Sequence, residues 1–304
     1  MSFKRPFPLL LLVACLVALG GVLFVYVQRL SADIGPDTPP VIAVGSIHGA
    51  AESGDVAAIQ AALRAGASVD QAAESDDSVR RGSTPLAYAI MADKPEAVQA
   101  LLAAGAKLEA TGKDGKTPLM LAVLWSSSQT VQSLIEKGAR IDARSPEGWT
   151  ATMFAAGKAE PQVLAALIGA GANVEFKNKW GQTALMAAAR SGSVEKLRAL
   201  LAAKAPVNET DDDGVTALAM AAHAEVPIDV LTALLDAGAD HRIGDNDGVT
   251  ALMKAADRGD SDRVTLLLAR GADKSAKDKG GRTALDWAIA RDDELGRAVA
   301  KLLQ

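Results

Sequence analysis

The chain is poor in the residues that usually carry chemistry. It has one cysteine and three histidines in 304 residues. The cysteine, Cys15, lies inside an apolar run, so the rest of the body is free of thiols. That excludes a disulfide framework and a cysteine metal site, and it suits an oxidising compartment. His48, His223 and His241 are far apart and show no ligand spacing, so each is expected to be structural or solvated. Aromatics make up 4% of the chain against 49% hydrophobic residues, so a core must be built from Ala and Leu. An excess of positive charge is missing too. Residues 6–304 carry 30 basic residues (32 less Lys4 and Arg5) and 37 acidic ones, a net of −7. A mildly acidic body argues against nucleic acid as a partner, because phosphate binding needs a basic face.

No Ser/His/Asp or Cys/His set, phosphate loop or glycine fingerprint is present. An enzyme is not expected, and no catalytic, cofactor or metal residue is assigned. Asp211-Asp212-Asp213-Gly214 and Asp245-Asn246-Asp247-Gly248 resemble calcium loops only faintly. Ile243 breaks the second, and Met220 stands where the first needs a bidentate Glu. Both read as turns in which Asp bonds the nearby backbone.

One long hydrophobic run is present. From Pro6 to Val27 no residue is charged, and residues 7–27 span roughly 31 Å as a helix, close to one hydrocarbon thickness. Tyr26 sits at the far end, where an interfacial aromatic is expected. The run is longer than a cleavable signal and ends in bulky residues, and Leu30-Ser31-Ala32 is a poor cleavage match. Leu12-Val13-Ala14-Cys15 resembles a lipoprotein signal, but apolar and small residues continue beyond it. An uncleaved transmembrane signal anchor is the leading expectation, with a cleaved signal as the alternative. Lys4 and Arg5 place the N-terminus in the cytoplasm and residues 28–304 outside it. The Ala-rich, Pro-poor body looks bacterial, which makes that outside the periplasm. The expected layout is a short cytoplasmic tail at 1–6, the anchor at 7–27, a linker at 28–41 stiffened by Pro36, Pro39 and Pro40, and the body at 42–304.

The body repeats. Thr84-Pro85-Leu86, Thr117-Pro118-Leu119, Thr150-Ala151-Thr152, Thr183-Ala184-Leu185, Thr216-Ala217-Leu218, Thr250-Ala251-Leu252 and Thr283-Ala284-Leu285 align, with threonines 33, 33, 33, 33, 34 and 33 apart. A glycine stands two places before most of these threonines, as at Gly115, Gly148, Gly181, Gly214, Gly248 and Gly281. Units close on a Leu-rich stretch and Gly-Ala, as at Gly66-Ala67, Gly105-Ala106, Gly138-Ala139, Gly171-Ala172, Gly238-Ala239 and Gly271-Ala272. Each part has a physical task. Thr caps the first helix, Pro or Ala starts it, and the closing Gly ends the second helix in a left-handed conformation.

This pattern resembles the ankyrin repeat over residues 42–304, and the period makes the match specific. The resemblance implies an all-α solenoid of helix-turn-helix units with finger loops, comprising seven repeats and a C-terminal cap. Stacking is obligatory, because a lone unit cannot bury its apolar face. The departures are informative. Gly45-Ser46-Ile47-His48 replaces the threonine motif in the first repeat. Six surplus residues lengthen the first finger around Glu74 to Arg81. Thr152 stands where Leu is expected and should loosen the fourth repeat, and Lys204-Ala205 replaces Gly-Ala in the fifth. Asp292, Asp293, Glu294, Arg297 and Lys301 should give the cap a polar outer face.

The family's mode of recognition implies a concave face of finger tips and first-helix ends. In register these are Lys113, Asp114, Lys116, Leu124 and Trp125 in the third repeat, and Pro146, Glu147, Trp149, Gly157 and Lys158 in the fourth. In the fifth they are Lys179, Trp180, Gln182, Arg190 and Ser191. Three of the four tryptophans fall there, and Trp and Arg are favoured interface anchors. The competing reading folds Trp125 into the Ser126–Ser128 turn and packs Trp149 against Trp180. Trp287, aligned with Tyr88, Leu121 and Phe154, is expected in the core. The implied function is a non-enzymatic, monomeric protein-interaction scaffold held at a membrane, with a cleaved and secreted effector as the alternative. Its protein partner is not named by the sequence. Alanine at Trp149 and Trp180 together should abolish capture of the partner and leave the melting curve near wild type.

Overall fold

A computed structural model describes residues 46–74 and 80–304. The tail, anchor and linker expected at 1–6, 7–27 and 28–41 lie outside these residues. Among the described residues no helix is long and apolar enough to cross a membrane. There are sixteen helices and no strand among them, with a single antiparallel bridge between Thr210 and Thr216.

The helices come in eight pairs. The first pair is α1 (Ile47–Ser53) with α2 (Val56–Arg64), followed by α3 (Pro85–Met91) with α4 (Pro95–Ala103). Next come α5 (Pro118–Trp125) with α6 (Ser128–Glu136), then α7 (Ala151–Lys158) with α8 (Pro161–Gly169). The fifth and sixth are α9 (Ala184–Ser191) with α10 (Val194–Ala202) and α11 (Ala217–His223) with α12 (Ile228–Asp236). The last are α13 (Ala251–Arg258) with α14 (Ser261–Ala269) and α15 (Ala284–Ala290) with α16 (Glu294–Leu303). These are the seven repeats and the cap.

Each motif threonine does what its position implies. Thr84, Thr117, Thr150, Thr183, Thr216, Thr250 and Thr283 accept a hydrogen bond from the backbone N–H three residues on, and Ser46 does so in the first repeat. The inner helices are buried almost all round. Ala184, Leu185, Met186, Ala188 and Ala189 of α9 are all buried, and small side chains let neighbouring inner helices approach. The outer helices bury one stripe, such as Leu197 and Leu200 of α10. Each such leucine contributes about 1.5–3 kcal/mol.

The leucine that closes the stripe also anchors the helix end. Its carbonyl accepts the N–H of the alanine after the closing glycine, as from Ala106 to Leu101 and from Ala139 to Leu134, both 3.0 Å. The glycine between must take a positive φ. In the fifth repeat Lys204 takes it instead, at φ 64, and Ala205 still reaches Leu200 at 3.0 Å. The motif therefore survives with a strained lysine in the glycine's place.

The fingers form a ladder. Backbone N–H groups of Lys113, Lys179, Asp212, Asn246 and Lys279 donate to Arg81, Glu147, Trp180, Asp213 and Asp247 of the preceding finger, at 2.8–3.0 Å. Pro146 occupies the equivalent position one period after Lys113 and has no N–H, so this rung is missing. Its ring packs against Gly115, whose φ of 67 and lack of a Cβ allow the approach. Gly82 also stands two places before Thr84 at φ 75, so the turn glycine recurs before all seven threonines, beyond the six picked out from the sequence.

Two departures resolve differently. Thr152 is fully buried, so it opens no gap to solvent, but its hydroxyl has no hydrogen-bond partner, a cost different from the looser packing expected. The cap is less polar than its charged residues imply. Ile289, Leu295 and Leu302 are exposed, at 59%, 54% and 42%. Ile289 aligns with Ile90, Val123, Ala156, Ala189, Ala222 and Ala256, which are buried against the following repeat. Among the described residues no further inner helix covers Ile289.

Candidate functional site

The finger turns are built by one acceptor each. Asp211 Oδ1 accepts the N–H groups of Asp213 and Val215, and Asp245 Oδ1 those of Asp247 and Val249. Asn178 does the same for Trp180 and Gln182. These carboxylates serve the local backbone, as the sequence suggests for the two faint calcium-like loops. Among the described residues no group of three or more His, Cys, Asp or Glu is placed to hold a metal ion.

On this frame the fourth and fifth repeats bring an aromatic cluster together. Trp149 stacks on Phe154 with centroids 5.4 Å apart, and lies 6.2 Å from Trp180, tilted by 56°. Lys179 Nζ sits 4.5 Å over the Trp180 ring, a cation–π contact of roughly 0.5–1 kcal/mol at an exposed site. Trp180 is 44% exposed. Gln182 and Arg190 flank a narrow cleft beside Trp149, with Met186 and Met220 in its wall. The competing reading therefore holds for Trp149, which packs against the core through Phe154. Its expected neutrality in a melting experiment is corrected on that ground, and Trp180 becomes the cleaner probe.

The other candidates divide. Lys116 Nζ pairs with Asp114 at 2.8 Å, while Asp114 also accepts the Lys116 N–H. Glu147 accepts the Ser145 hydroxyl, and its carbonyl takes the next finger's N–H. These three residues serve their own turns. Lys113, Lys158 and Arg190 are exposed, and among the described residues none of them has an ion-pair partner. Trp125 is 59% exposed and does not fold into the serine turn. There Asp93 accepts the Ser126 hydroxyl at 2.7 Å and the Ser127 N–H at 3.0 Å, which leaves the indole outside.

A second feature was not anticipated. A concavity of about 420 Å³ is lined by Arg190, Met220, His223, Lys254, Asp257 and Trp287, with Val215, Ala219, Ala224 and Val249. His223 Nε2 lies 3.6 Å from Asp257, and Lys254 pairs with Asp245 at 2.8 Å. The Trp287 indole donates to Asp278 at 3.1 Å, and Arg282 lies 3.9 Å over its ring. Trp287 packs against the core, as its alignment with Phe154 implies, but it is only half-buried and part of the ring forms this wall. His223 and Asp257 stand seven residues after Thr216 and Thr250, so the register that selects Arg190 also selects them. His48, by contrast, is buried, with Nε2 2.7 Å from the Gln71 carbonyl and its ring edge-on to Tyr88.

A family model described as ankyrin repeats (3 copies) matches residues 47–145, 152–245 and 224–304. A search of curated proteins found no match.

Proposed function

We propose that this chain, which belongs to the ankyrin-repeat family, is a protein-interaction scaffold tethered to a membrane by residues 7–27, with its repeats outside the cytoplasm. Ankyrin repeats are generally non-enzymatic and bind protein partners. The observation that carries the choice of face is the exposed Trp180 beside Trp149, with Lys179 over its ring. Trp149 is held on Phe154 of its own repeat, whereas Trp180 stays 44% exposed. A partner that covers Trp180 gains the burial that the fold forgoes. Support for the tether comes from the uncharged run Pro6–Val27 behind Lys4 and Arg5. A bacterial inner membrane with periplasmic repeats and a monomeric chain complete the proposal.

The test uses the full chain in its own membranes. Proteins captured by cross-linking to wild type should be lost from Trp180→Ala while its melting temperature holds. An unchanged set of captured proteins overturns the binding face. Extraction at high pH with mass spectrometry of the N-terminus tests the tether: a soluble chain starting beyond residue 27 overturns it and leaves the scaffold as a secreted protein.

A further inference from the structure

Like Met220, Arg190 lines both the narrow cleft beside Trp149 and the 420 Å³ concavity beyond it, and it is the charged side chain that they share. Its charge is unmatched, because among the described residues no carboxylate pairs with it. The other lysine or arginine of the concavity, Lys254, is engaged with Asp245 at 2.8 Å. Lys158 and Lys179, on the same face of the fourth and fifth repeats, also lack a carboxylate partner among the described residues. One repeat further on the sign reverses: Asp212 and Asp213 are exposed on the next finger. The face thus offers a short cationic stretch, an aromatic platform, and a concavity floored by Ala219, Met220, Val249 and Trp287.

We infer that this face takes an extended protein segment bearing a short acidic stretch next to a large apolar side chain. A carboxylate pairs with the Arg190 guanidinium, the backbone lies along Trp180, and the apolar side chain fills the concavity. A guanidinium offers a planar fork of donors that fits a carboxylate in two-point contact. A basic segment would meet three unmatched cations, and a long acidic one would run onto Asp212 and Asp213. The inference rests on the protein-binding reading above and narrows it to one partner chemistry.

The experiment selects random phage-displayed peptides on the full chain and measures synthetic copies of the enriched ones by fluorescence anisotropy. Enriched peptides should carry Asp or Glu beside an aromatic or aliphatic residue. Their affinity should fall with added salt, and fall about tenfold or more in Arg190→Gln. Arg190 is exposed and its side chain makes no hydrogen bond or ion pair among the described residues, so that variant should melt as wild type does. Enrichment of neutral or basic peptides, or an unaffected Arg190→Gln, overturns the inference and leaves the scaffold reading standing. No enrichment over Trp180→Ala overturns both. Binding to phosphatidylserine vesicles that needs Arg190 and displaces the peptides reassigns the face to an anionic membrane and overturns the inference as well.

Discussion

The third to fifth repeats and the last two repeats with the cap differ in how much of their charge is paired within the chain. Between Asp240 and Asp293 most charged pairs serve the fold, although Lys277 and Lys279 stay exposed without a carboxylate partner among the described residues. Arg242 holds Asp240 by two side-chain hydrogen bonds at 2.9 Å, and Lys254 holds Asp245 at 2.8 Å. Arg263 pairs with Asp260 and also donates to the Val226 carbonyl of the preceding repeat. Arg291 pairs with Asp293 at 2.6 Å and donates to the Asp257 carbonyl. Between Lys113 and Arg190, seven exposed cations lack a carboxylate partner among the described residues, and of these Lys179 lies over Trp180 and Arg190 lines the cleft beside Trp149. The stacked fold is the same in both regions. What differs is whether a side chain's partner lies within the chain or is left to another molecule.

The comparison can be broken most sharply at the aromatic pair. Trp149→Ala should cost about 3 kcal/mol in denaturant unfolding, as expected for a large aromatic lost from a packed site. Trp180→Ala should cost no more than about 1 kcal/mol, the scale of its contact with Lys179. Equal losses would mean that Trp180 is part of the core and not a spare surface. Acid comes next. The Arg242 hydrogen bonds lower Asp240 to about 2. The Arg291 side chain and the Gly296 N–H lower Asp293. Burial raises Asp245 and Asp278, but hydrogen bonds from Lys254 and Val249, and from Arg282 and Trp287, outweigh it and leave both lowered. Depressed carboxylates stabilise the fold above their unfolded value of about 3.9, and that stabilisation goes as pH falls further. Hydrogen exchange corrected for intrinsic rates should therefore show the last two repeats and the cap losing protection between about pH 4 and pH 2, ahead of the second to fourth repeats. Earlier loss in the second to fourth repeats would reverse the assignment of where charge serves the fold.

Two smaller effects sharpen it from the stability side. Thr152→Val removes a buried hydroxyl without a partner at nearly constant volume and should add about 1–2 kcal/mol, read from the denaturant midpoint. Lys204→Gly relieves a left-handed lysine. It should add up to about 1 kcal/mol, since the strain relieved exceeds glycine's extra unfolded-state entropy by only that much. A melting temperature that falls in either variant would show a role for the native side chain that its contacts do not reveal.

Much of the fold is legible in the sequence because its signals are local. A threonine caps the N–H three residues on, and an acidic finger residue bonds the N–H groups two and four residues on. The weak spots at Thr152 and Lys204 are legible for the same reason, since a break in a repeating pattern marks a position whose environment is known from its copies. The cap's charged residues imply a polar face, but Ile289, Leu295 and Leu302 are exposed there. Alignment with buried copies predicts burial only where a following repeat supplies the cover.

The sequence by itself determined the register: a period of 33, the caps, the turns, and which positions point inward. It also put Trp149, Trp180 and Arg190 on one face. Only the tertiary structure decided what those side chains do there. Trp149 meets Trp180 of the next finger, Trp180 stays half open, Arg190 is left unmatched, and His223, Lys254, Asp257 and Trp287 line a concavity with it. The reason is physical. Caps and turns close over two to four residues of chain, whereas side-chain pairing across repeats joins residues some thirty apart. Such pairs meet only once the repeats have stacked, and the pattern that repeats cannot say which of them find a partner.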